Sequence, residues 1–75
     1  MSAMHIMDPK LGDLKVVWDS ENEAEVQLAK KQFNDAIKKE FTAYRAKKDG
    51  SKGKKIEKFD PEAERIIMVP PVVGA

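Results

Sequence analysis

Cysteine is absent from the chain, which excludes disulfide staples, thiolate metal sites and a cysteine nucleophile and leaves stability to packing. Such a chain fits a cytoplasmic or virion-associated setting better than a disulfide-rich secreted one. Histidine occurs once, as His5, with no partner at the spacing of a metal cluster or a catalytic pair. It reads as an exposed residue near a terminus. Long apolar runs are missing too: nothing approaches the roughly 18 residues of a membrane span. Met1, Ser2, Ala3, Met4 and His5 also lack the basic start and apolar core of a signal peptide. The expectation is a soluble chain, unprocessed at its N-terminus, with no membrane partner. Charge of one sign is scarce in net terms, with 14 Lys and Arg against 13 Asp and Glu. That balance argues against nonspecific coating of nucleic acid by the whole molecule. There is no internal repeat and no low-complexity tract.

The residues present suffice for one small core. The chain has 75 residues, 41% hydrophobic and 36% charged, enough apolar content to fold but too short for a second core. Residues 14–19 alternate as a strand, with Leu14, Val16 and Trp18 on the face expected to meet the core. Ser20 followed by Glu23 reads as a Ser-x-x-Glu capping box that opens a helix. From there Val26, Ala29, Phe33, Ala36, Ile37 and Phe41 recur at three- and four-residue spacing, one side of an amphipathic helix of about five turns. Residues 41–46 read as the next strand. Gly50 and Gly53 lie in a turn that leads a hairpin back along 54–59. Asp60 and Pro61 open a second turn, and residues 65–69 form the most apolar strand, expected to be central or buried on both sides.

Residues 1–12 are an N-terminal lead in which His5, Ile6, Met7 and Asp8 either pair as a short strand or fray. The first alternative gives ββαβββ or ββαββ, the order of the β-grasp fold. The second gives βαβββ with a right-handed crossover. Both belong to the α+β class, one helix packed on a mixed sheet of three to five strands, with residues 13–69 as the domain and 70–75 as an extended tail.

The chemical inventory is thin. Glu21, Glu23 and Glu25 read as acids at a helix start, and no two carboxylates are placed as a pair across a pocket. Gly12, Gly50, Gly53 and Gly74 lack the strand-to-helix context of a phosphate loop. No catalytic, cofactor-binding or metal-ligating residue is assigned, and the chain reads as a protein-interaction module rather than an enzyme. Arg45, Lys47, Lys48, Lys52, Lys54, Lys55 and Lys58 outnumber Asp49 and Glu57 over residues 45–58. This basic hairpin is either a phosphate-binding surface, with Tyr44 and Phe59 nearby to stack bases, or a solvated edge whose lysines prevent aggregation. Trp18, Phe33, Phe41, Tyr44 and Phe59 are expected in the core rather than around a ligand. Met1, Met4 and Met7 with Ile6 form an apolar stripe that either docks on a partner or packs as a flexible strip.

The chain closes on Ile66, Ile67, Met68, Val69, Pro70, Pro71, Val72, Val73, Gly74 and Ala75. The two prolines lack backbone donors and bias the last four residues toward extension. These ten residues resemble the end of the β-grasp sulfur-carrier proteins of molybdopterin synthesis, an apolar strand followed by Pro-Pro-Val and a diglycine. They also look like the corresponding segment of the ubiquitin-like tail-assembly proteins of lambdoid phages. The resemblance implies a tail narrow enough to thread a partner's active site, and in the sulfur carriers a terminal glycine that is adenylated and converted to a thiocarboxylate. Here Gly74 matches the penultimate glycine and Ala75 stands where the last glycine would be. Val69, Pro70, Pro71, Val72, Val73, Gly74 and Ala75 are therefore read first as a docking arm for a protein partner, as in a ubiquitin-like or virion accessory protein, and second as an activated carboxylate.

Overall fold

The computed structural model describes residues 1–10, 12–46 and 53–71. Their order is β1 (Ser2–Asp8), β2 (Gly12–Trp18), α1 (Glu23–Lys38), β3 (Thr42–Ala46), β4 (Lys55–Ile56) and β5 (Arg65–Val69). This is the ββαβββ alternative of the α+β class, one helix on a five-stranded mixed sheet ordered β2-β1-β5-β3-β4. The N-terminal lead does not fray: all seven residues of β1 pair antiparallel with β2, from Ser2↔Trp18 to Asp8↔Gly12. Gly12 has φ +84°, a value that costs glycine little and lets the chain reverse tightly after Asp8. β5 lies at the centre of the sheet, parallel to β1 and antiparallel to β3, as its apolar character predicts.

The period-two alternation of the strands sorts residues between a helix-facing side and an outer side. Met4 and Ile6 of β1, Trp18 of β2, Ala43 of β3 and Ile66 and Met68 of β5 are buried beneath α1, whose Ala29, Phe33 and Ala36 complete the core. The expected methionine stripe is thus split by the pleat: Met4 and Ile6 are core, while Met1 and Met7 are exposed. Leu14 points to the helix side as its register requires but is 42% exposed, because β2 is an edge strand and the core does not extend beyond it.

The helix begins later than the Ser20 reading. Asn22 is the N-cap, its Oδ1 accepting the Glu25 backbone N–H at 3.2 Å. Glu25 reaches back, one carboxylate oxygen accepting from the Asp19 backbone N–H at 3.0 Å and the other from the Asn22 side-chain Nδ2 at 3.1 Å. An Asn-x-x-Glu pair therefore caps the helix in place of Ser20 and Glu23, although the Asn22 backbone N–H itself donates to the Asp19 carbonyl rather than to Glu25. Asp19 and Ser20 instead form a turn in which the Asp19 side chain accepts from the Glu21 N–H. At the other end the Glu40 N–H donates to Ile37 and the Phe41 N–H to Ala36, the double closure of a Schellman ending. Glu40 takes φ 68° there, a position usually held by glycine. The helix is sixteen residues long, shorter than the five turns expected, and Phe41 follows its end as a buried residue.

The two ends of the sandwich differ. At the helix N-terminal pole, Trp18 lies against Phe59 at a centroid distance of 5.1 Å with the rings tilted by 53°, and Phe33 meets the same ring edge-on at 5.7 Å. The buried indole N–H donates to the Pro61 carbonyl at 3.1 Å, so the polar end of the largest side chain is satisfied. Asp60 shapes this loop by accepting from the Glu62 N–H on its side chain and the Ala63 N–H on its carbonyl. Ala63 is fully buried as a result. At the opposite pole lie the β1–β2 turn, the helix C-terminus and the exit of β5.

Candidate functional site

β5 delivers the chain to Pro70 and Pro71 from the middle of the sheet. Val69 is half-buried opposite Thr42, Pro70 is half-buried and Pro71 exposed. Neither proline extends the ladder, as expected of residues without a backbone donor. Val72, Val73, Gly74 and Ala75 lie outside the described residues, so the expected arm is seen only at its root. That root borders an apolar groove of about 470 Å³ walled by Pro9, Phe41, Pro70 and Pro71, with Asp8, Lys10 and Lys39 supplying its polar part. Asp8 accepts the Lys10 backbone N–H at 2.8 Å, which fixes the turn forming one wall. The groove exists because Phe41 is held at the end of the Schellman closure and the two prolines leave the sheet beside it.

A second accessible region is the outer face of the sheet. The registers align one row across all five strands: Lys15 opposite His5, His5 opposite Ile67, Ile67 opposite Tyr44 and Tyr44 opposite Lys55. His5 is therefore not at a loose terminus but half-buried within a strand, and Tyr44 belongs to this face rather than to the core. Exposed Met7 and Val17 lie on the same side. The face is apolar in the middle and basic at both ends of the row. Sequence reading missed it because it needs the strand order; the alternation of β1 was the available signal.

The basic residues over 45–58 are described only in part. Lys47, Lys48 and Lys52 lie outside the described residues, while Lys54, Lys55 and Lys58 are exposed. Arg45 is engaged, its Nη1 lying 3.4 Å from Asp60 Oδ2. β4 is only two residues long, so the expected return strand over 54–59 is mostly irregular, and Phe59 turns inward to the aromatic cluster instead of standing among the lysines. Trp18, Phe33 and Phe41 are buried as expected of core aromatics. Among the described residues, no three His, Asp or Glu side chains come together as a metal site, and no helix is long and apolar enough to cross a membrane.

Comparison with protein-family models, with curated proteins and with solved structures finds no match to this chain. The class of molecule therefore rests on architecture alone: a small α+β sandwich whose last strand is central.

Proposed function

We infer that this chain is a small, non-enzymatic protein-interaction domain of ubiquitin-like type, acting on a protein partner through its surface and its C-terminal segment. The observation that carries this reading is the placement of β5: a central strand that ends in two prolines beside an apolar groove. A segment rooted in the middle of a sheet is held firmly at its base. Val69, Pro70, Pro71, Val72, Val73, Gly74 and Ala75 form that segment, and the ββαβββ order supports its likeness to the tails of β-grasp carriers. The outer face, with Ile67 and Tyr44 between Lys15 and Lys55, offers a broad second contact.

The test compares the full chain with a form ending at Val69 and with the pair of changes Gly74→Asp and Ala75→Asp. All three are expected to melt alike. Chemical cross-linking in the native cell is expected to give a specific adduct with the full chain only. The same adduct from all three forms overturns the role of the tail, and a salt-resistant complex with nucleic acid moves the function to Arg45, Lys54, Lys55 and Lys58.

A further inference from the structure

The two edges of the sheet are not equivalent. β4 offers a partner only Lys55 and Ile56, whereas β2 presents seven residues along an open edge. Long open edges invite strand addition unless something specifies or blocks it. Along β2 the outward residues are Asp13, Lys15 and Val17, and the helix-side residues are Leu14, Val16 and Trp18. Leu14 and Val17 are 42% and 45% exposed, apolar surface that the single chain leaves uncovered.

The geometry points to a second copy of this chain as the occupant of the β2 edge, paired antiparallel about a two-fold axis through Leu14. Such an axis stands perpendicular to the joined sheet, so outward residues must meet outward residues and only registers in steps of two are allowed. Centring on Leu14 sets Asp13 of each copy opposite Lys15 of the other, giving two unlike-charge cross-strand pairs, with the two Leu14 side chains meeting on the helix side. Centring on Asp13 or Lys15 opposes like charges, and centring on Val16 sets Asp13 opposite Asp19. Opposite charges across strands favour pairing and like charges oppose it. Centring on Val17 would set Lys15 opposite Asp19, but Asp19 lies beyond the end of β2. The Leu14 register is therefore the one whose unlike-charge pairs fall wholly within the strand and whose immediate neighbours are penalised, which is how an edge is made specific rather than sticky. This surface is separate from Pro70 and Pro71, which follow the central β5 rather than an edge strand.

The experiment is sedimentation equilibrium of the full chain and of charge-reversed forms, with circular dichroism confirming that each folds. Asp13 and Lys15 are both exposed, so the substitutions fall outside the core. Wild type is expected to show a reversible dimer. Asp13→Lys alone and Lys15→Asp alone are each expected to weaken it about tenfold or more, because both symmetric pairs become repulsive. Combining the two changes in one chain restores complementarity and is expected to restore the dimer. Mixing the two single variants is expected to give a heterodimer from two weakly associating partners. A wild-type chain that stays monomeric at millimolar concentration overturns the proposal and leaves the edge to an extended segment of another protein. A dimer indifferent to both reversals overturns it equally.

Discussion

The two poles of the sandwich solve opposite problems. At the helix N-terminal pole, Trp18, Phe33 and Phe59 interlock, the indole N–H is satisfied by Pro61, and Asn22 and Glu25 close the helix start. At the other pole the helix ends on a strained Glu40, the chain leaves through two prolines, and an apolar groove stays open. The aromatic packing is concentrated at the first of these poles. The apolar groove lies where the last strand lets go of the sheet. A domain this small is only marginally stable, and an apolar groove set apart from the aromatic cluster leaves that packing undisturbed.

The largest way to break the contrast is Trp18→Ala, which removes the hub of the closed pole and orphans the Pro61 carbonyl. A loss of about 3–5 kcal/mol is expected in urea unfolding, enough to leave much of the population unfolded. Gly53→Ala attacks the same pole from the hairpin: a Cβ there is driven into the Arg45 backbone carbonyl, beside the Arg45 N–H bond to Lys54. We expect about 1–3 kcal/mol of destabilisation by the same measurement. Asn22→Ala tests the cap and should cost about 1 kcal/mol, with loss of amide protection confined to the first helical turn. The open pole should respond differently. Glu40→Gly relieves a left-handed backbone and is expected to raise stability by about 1 kcal/mol, which thermal melting will show as a higher midpoint. Pro71→Ala, at the exposed groove wall, is expected to change stability by less than about 0.5 kcal/mol. An equal loss from Pro71→Ala and Trp18→Ala would erase the distinction between the poles.

Much of this architecture is legible in the residues. The spacing of Val26, Ala29, Phe33 and Ala36 defines the buried helix face, and the apolar run at 65–69 marks the central strand. The helix start is harder to place because Ser20 and Asn22 are both competent caps three residues before a Glu. The choice falls to Glu25, whose side chain also reaches the Asp19 N–H, a contact that no local pattern reports. β1 is ambiguous in sequence because methionine carries little strand preference. Only pairing with β2 and β5 on its two sides decides that Met4 is core and Met7 is not. The root of the tail is readable as a site, since prolines after an apolar strand have a direct backbone meaning. The groove, the outer-face row and the edge complementarity of Asp13 and Lys15 are not, because each depends on the strand order, which no local pattern contains.

The central parallel pair has a further consequence for how this protein comes into being. Ala3 lies opposite Arg65 and Ile6 opposite Met68, so the first strand waits for the last. During synthesis the hairpin of β1 and β2 and the helix emerge early, but the sheet remains in two pieces until β5 has cleared the ribosome and inserted between them. Closing so long a loop is entropically costly and slows folding. Until then Ile66, Ile67 and Met68 have no place to go, and Met4 and Ile6 lack a neighbour on one side. The strand that leads into Pro70 and Pro71 is thus also the piece that joins the two halves of the sheet into one.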